Sequence, residues 1–197
     1  MRGYQSLEPA KYKEEQETAI TGDLVGSIET VLEESSESWM RFFRVYDDPP
    51  INDSRSRENP EGIRKGRSRR RIDIKIDSSE FSPYSRFYFE AKRLGKRHPV
   101  GGYVGKDGLS LFLTGDYAAE EYRAGMLGYV QKDDESVWAE RIESKLSEDE
   151  GRFRLTSDGS WTSSQQCPEL QDTYVTCHSR DSRQGRIRIY HSLLKFY

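Results

Sequence analysis

The chain has 197 residues, 34% hydrophobic and 33% charged, with 31 Lys and Arg against 34 Asp and Glu and a net charge of −3. That length suits one domain around one core, and the periodic segments exclude wholesale disorder. A net charge this close to zero leaves the choice of partner to local charge, and no run approaches the ~20 apolar residues a membrane helix needs.

There is no apolar stretch after Met1, and Cys167 and Cys177 are the only cysteines, which predicts a cytoplasmic protein with both thiols reduced. Residues 1–13 carry no periodicity and read as a flexible arm. The remainder, 14–197, reads as a single domain with a core over 14–131 and an extension of helix and strands over 132–197. From residue 14 onward Ile20, Leu24, Ile28, Val31 and Leu32 recur at helical spacing, despite Gly22 and Gly26, which cost ~1 kcal/mol each relative to Ala. Segment 39–47 fits a helix by the spacing of Trp39, Phe42, Phe43 and Tyr46, and a strand by its aromatic and Val content; the strand is preferred. Pro49, Pro50, Pro60, Gly62 and Gly66 make 48–68 a loop, which runs into the basic cluster Arg64, Lys65, Arg67, Arg69, Arg70 and Arg71.

Two alternating runs follow. In 70–77, Ile72, Ile74 and Ile76 share one face of a strand while Arg71, Asp73 and Lys75 share the other; in 86–92, Phe87, Phe89 and Ala91 oppose Tyr88, Glu90 and Lys92. A turn containing Pro83 joins them, which predicts antiparallel neighbours. Paired in this way, the strands offer a carboxylate each to a divalent cation, with the Lys92 ammonium beside it. After Gly95, Pro99, Gly101 and Gly102 come a short apolar piece over 109–113, a helix over 116–124 with Asp116 as N-cap, and a strand over 126–131. Trp138, Ile142 and Leu146 line one side of a helix over 135–146, and strands are expected over 152–156, 173–179 and 186–196.

This order, with Asp73 on one strand and Glu90-Ala91-Lys92 on the next, resembles the PD-(D/E)xK nuclease superfamily, whose restriction-endonuclease-like core runs αβββαβ. The resemblance covers 14–131. It implies an α/β fold with a mixed central sheet flanked by helices. Asp73 matches the motif's lone aspartate, Glu90 its second acid and Lys92 its lysine, while the Ala91 carbonyl is an expected further metal ligand. Arg71-Ile72 stands where the motif's proline is found in other members. A helix acid completes the site in many members; Glu17 is the candidate, with Asp23 and Glu29 as rivals. The spacing of Tyr103, Gly108, Gly115, Tyr117, Met126 and Tyr129 is similar to that of bacterial, defence-associated members.

The function so implied is a Mg²⁺- or Mn²⁺-dependent endonuclease, with DNA preferred over RNA as the substrate and the choice between them left open by the residues, in a restriction or phage-defence setting. A homodimer or a partner protein would supply recognition, and no membrane is involved. Hydrolysing a phosphodiester requires charge neutralisation beside a nucleophilic water, which hard carboxylate oxygens and a bound cation provide. Lys92 would orient or deprotonate the water and stabilise the transition state, and the cluster from Arg64 to Arg71 would hold flanking phosphates. Two other readings stand beside it: a nucleic-acid-binding or assembly subunit that keeps the fold without turnover, and a protein-interaction module joining an acidic helix to a basic loop. The triplet itself is cheap, since Asp73-Ile74-Lys75 and Glu143-Ser144-Lys145 also satisfy it, and Cys167, Cys177 and His178 lack the paired spacing of a zinc site.

Overall fold

Seven strands form one mixed sheet in the computed structural model, which describes residues 2–51, 70–80, 85–164, 172–180 and 185–197. Helix α1 (Arg2–Gln5) and a 3₁₀ turn (Pro9–Tyr12) lead into α2 (Glu17–Glu34); a second 3₁₀ turn (Met40–Phe42) then opens β1 (Phe43–Asp47). Strands β2 (Ile74–Ser78) and β3 (Ser85–Leu94) follow, then short helices α3 (Val100–Val104) and α4 (Ser110–Leu113) and strand β4 (Arg123–Val130). Helices α5 (Glu135–Ser147) and α6 (Glu150–Phe153) precede β5 (Thr162–Ser163), β6 (Thr173–Ser179) and β7 (Arg186–Lys195).

The sheet order is β1-β2-β3-β4-β7-β6-β5. The first three strands are an antiparallel meander, β3, β4 and β7 run parallel, and β6 and β5 return antiparallel. The fold is therefore α/β with a mixed sheet flanked by helices. On one face α2 buries Ile20, Leu24 and Val25 against Val45, Ile74, Tyr129 and Phe196; on the other, α3 to α6 bring Phe112, Trp138, Ile142 and Phe153 against Leu94, Met126 and Ile189. Parallel strands covered on both faces read as continuous apolar runs, and β4 is buried at seven of its eight positions.

Several expectations are corrected. Segment 1–13 is folded from Arg2 onward: the Tyr4 hydroxyl donates to the Lys195 carbonyl (3.0 Å) and accepts the Lys195 amide (2.9 Å), and Tyr4 and Tyr12 meet Phe196 edge-on. Aromatic side chains without a period gave no sequence signal for this docking. The helix expected over 116–124 does not form, because Gly115 (φ 71°) and Ala118 (φ 50°) both take left-handed backbone; the helical turns lie earlier, in α3 and α4. The strand expected over 152–156 is the end of α6, closed by Arg154 at φ 54°, with only Leu155 bridging to His178. The chain also bends at Asp73, so Ile72 joins the core under α3 to α6 while Ile74 joins the core under α2. One face for Ile72 and Ile74 was expected, and the bend, which no periodicity announces, separates them. Most of the loop expected over 48–68 lies outside the described residues.

A buried polar chain locks the later strands to α3. His178 Nδ1 lies 2.7 Å from the Phe153 carbonyl, which only accepts, so Nδ1 carries the proton and Nε2 accepts from Thr176 Oγ1 (2.7 Å). Thr176 must then accept from His191 Nε2 (2.8 Å), whose Nδ1 accepts the Tyr103 hydroxyl (3.0 Å). Tyr103, Thr176, His178 and His191 are each at most 1% exposed, so one direction of donation runs through the whole chain.

Candidate active site

Three elements meet at the end of β3. Antiparallel register pairs Ile74 with Phe89, which sets Asp73, one residue before β2, opposite Glu90. The Ala91 amide donates to Asp73 Oδ2 at 2.6 Å. Glu17, the first residue of α2, comes to the same place: its Oε2 accepts the Arg93 amide at 3.1 Å and its Oε1 lies 3.0 Å from Lys92 Nζ.

Lys92 Nζ is the centre of the group. It donates to Glu90 Oε1 (2.8 Å), Glu17 Oε1 (3.0 Å) and the Ala91 carbonyl (2.7 Å), and Asp73 Oδ2 stands 4.0 Å away. The structure thus gathers Glu17, Asp73, Glu90, Ala91 and Lys92 toward the C-terminal end of β3, inside the sheet. The rival helix acids lie elsewhere in contact: Asp23 accepts the Tyr12 hydroxyl at 3.0 Å, and Glu29 is exposed. The competing triplets are occupied by local ion pairs, Lys75 with Asp77 at 2.5 Å and Lys145 with Glu148 at 2.6 Å.

The site is largely withdrawn from solvent. β3 lies third in a seven-stranded sheet covered on both sides, so Glu90 is 5% exposed and its Oε2 has no hydrogen-bond partner among the described residues. Burial, then the Asp73 charge, pushes the Glu90 carboxyl up to about 8 against the pull of Lys92. Burial also raises Asp73, opposed by the Ala91 amide and Lys92. For Lys92 burial alone works downward, but Glu90 and Glu17 outweigh it and hold the ammonium above its ordinary value. Four ionisable groups with one cation among them cannot all be charged cheaply in a dry site, and Glu90 is the one that keeps its proton.

Tyr117, which the sequence singles out only by its spacing and assigns no role, borders the site. Its hydroxyl donates to the Arg71 carbonyl at 2.6 Å, and burial, with Glu90 and Asp73 nearby, raises it. Of the basic cluster, Arg70 forms an ion pair with Asp116 and Arg71 Nε donates to Asp48 at 2.5 Å, so both bind within the molecule; Arg64, Lys65, Arg67 and Arg69 lie outside the described residues. Cys177 is a free thiol, His178 belongs to the buried chain, and Cys167 lies outside the described residues.

Among the described residues no three His, Cys, Asp or Glu side chains stand close enough to hold a metal as they are placed, because the Lys92 ammonium lies between the carboxylates. The donor set nonetheless fits Mg²⁺ or Mn²⁺: the oxygens are hard, the Ala91 carbonyl joins them, and Glu90 Oε2 is buried without a partner. No helix among the described residues is long and apolar enough to cross a membrane. Comparison with protein-family models, with curated proteins and with solved structures finds no match.

Proposed function

We propose that this protein is a metal-dependent endonuclease with a restriction-endonuclease-like core, hydrolysing phosphodiester bonds in DNA. The observation that carries the reading is the convergence of Glu17, Asp73 and Glu90 on Lys92 at the end of β3. The element order supports it: α2, the β1-β2-β3 meander, helices α3 and α4, and a parallel β4 follow the αβββαβ plan. Asp73, Glu90, the Ala91 carbonyl and Glu17 would hold Mg²⁺ or Mn²⁺, which when bound neutralises charge on the scissile phosphate.

The chain's own residues do the rest. The Ala91 amide fixes the Asp73 carboxylate, and the Arg93 amide fixes Glu17, so both acids face the site without side-chain entropy left to lose. Lys92, held protonated, acts as a point charge beside the attacked phosphorus and orients the water through its N–H groups. Arg70 and Arg71, three and two residues before Asp73 in the chain, would meet phosphate only by exchanging their partners Asp116 and Asp48. A cytoplasmic restriction or phage-defence role, with recognition from a second copy or a partner protein, completes the proposal.

One observation favours a second reading, a non-catalytic subunit that binds nucleic acid: the Lys92 ammonium donates to both Glu17 Oε1 and Glu90 Oε1, so that these acids already have a cationic partner in the chain. The two part in one assay. Plasmid incubated with Mg²⁺, Mn²⁺ or EDTA is expected to be cut only with metal, and not by Asp73→Asn or Lys92→Ala. Cleavage that survives in both variants would refute the site, and binding without any cleavage would select the second reading.

A further inference from the structure

The parallel strands β3 and β4 end at the same edge of the sheet, and both endings carry cations. Beyond β3 the Gly95 amide donates to the His98 carbonyl (3.2 Å) and the His98 amide returns to Gly95 (3.0 Å), closing a tight turn with Lys96 and Arg97 exposed at its tip. Beyond β4, Lys132 is exposed as well. Lys96 and Lys132 both line an open groove of about 640 Å³ between the start of α3 and α5, together with Arg141 and Lys145. Of the groove's acids, Asp133 is taken by Arg141 at 3.1 Å and Glu148 by Lys145 at 2.6 Å, leaving Glu140. Lys96, Arg97 and Lys132 have no ion-pair partner among the described residues.

This edge continues from the site. Lys92 lies two residues before the end of β3 at Leu94, and Lys96 lies two residues after it, in the turn that the strand runs into. Arg93 lies between them, its guanidinium donating to the Glu15 carbonyl at 3.1 Å. Trp138 lies in the groove wall but is only 4% exposed, so the groove offers exposed cations rather than an aromatic anchor.

We propose that Lys96, Arg97 and Lys132 form a track for a sugar–phosphate backbone, holding the flank of the substrate that leaves the Lys92 site toward the α3–α5 groove. The inference rests on the nuclease reading for its substrate but not for its test. Exposed cations at Lys96, Arg97 and Lys132, with no ion-pair partner among the described residues, suit a repeating anion, and such contacts position a substrate without reading its bases.

The test is fluorescence anisotropy in EDTA, where metal-dependent turnover is silent, with labelled duplex DNA, the matching single strand and the RNA equivalent, between about 50 and 200 mM salt. Wild type is expected to bind at least one of the three. In Lys96→Ala/Arg97→Ala the slope of log K against log salt should shrink by about 1.8 for duplex DNA, and adding Lys132→Ala should bring the change to about 2.7. Slopes and affinities equal to wild type, or no wild-type binding to any probe at about 50 mM salt, overturn the track. Weakened variants alongside a wild type that never cuts would retain the track and reject the nuclease reading; cutting by wild type with binding untouched by the substitutions would do the reverse.

Discussion

Replacing Glu90 with Gln should alter how stability depends on pH, in a sense opposite to the usual carboxylate. The folded protein keeps a proton on Glu90 up to about 8, whereas the unfolded chain releases it near 4.5. The contribution is therefore complete below about pH 4.5 and is lost as the pH rises toward about 8; over the whole interval, at ~1.4 kcal/mol per pH unit, it is about 5 kcal/mol. The histidines work the other way. His178, lowered from 6.5 to about 4, and His191, also lowered, add stability that is present above 6.5 and fades as the pH falls. Between about pH 6.5 and 8.5 the histidines contribute alike to wild type and variant, and the Glu90 share is roughly 2 kcal/mol. Gln imitates the protonated acid in shape, at the expense of an N–H where Oε2 lacked a partner. Urea unfolding of wild type and Glu90→Gln across that window should show wild type losing roughly 2 kcal/mol more than the variant. Parallel curves would mean that Glu90 is ionised in the folded protein, and the account of the site's charge would fail.

Lys92→Met should cost about 3 kcal/mol at pH 7 by leaving the Glu17 and Asp73 carboxylates uncompensated, and Mg²⁺ should raise the thermal midpoint of this variant more than that of wild type; no differential effect would argue against a cation site. Thr176→Val leaves both histidine Nε2 atoms without their partner and should destabilise by about 2–4 kcal/mol in urea unfolding, with a change below about 0.5 contradicting the assigned chain of donation. A methyl at Gly128 would lie 2.6 Å from Leu193 Cδ2 and 2.7 Å from Leu94 Cδ1, so Gly128→Ala should lower stability by about 1–3 kcal/mol as read by thermal unfolding.

What the sequence discloses is strongest where periodicity is strict. The alternation around Asp73 and along 86–92 predicts antiparallel partners, and β2 and β3 pair in that way; Trp138, Ile142 and Leu146 predict α5, and all three are buried. Glu17 entered only through the resemblance, and geometry is what separates it from Asp23 and Glu29, since all three lie on one acidic helix. Burial of Glu90 was illegible because alternation of polar and apolar residues signals a half-solvated strand, whereas coverage by helices on both faces is a property of the assembled sheet. The failed helix at 116–124 and the failed strand at 152–156 share a cause: left-handed backbone at Ala118 and Arg154, residues with no preference for it.

The place of β7 has a practical consequence. It lies between β4 and β6, so the last strand in sequence is interior in space, and the part of the chain after residue 131 is no appendage. A fragment ending there would leave β4 as a bare border of apolar residues with unpaired amides and carbonyls, a template for intermolecular association. The carboxylate cluster and the chain's final strand must therefore be produced together, and domain-trimming designs that stop after β4 should yield insoluble material.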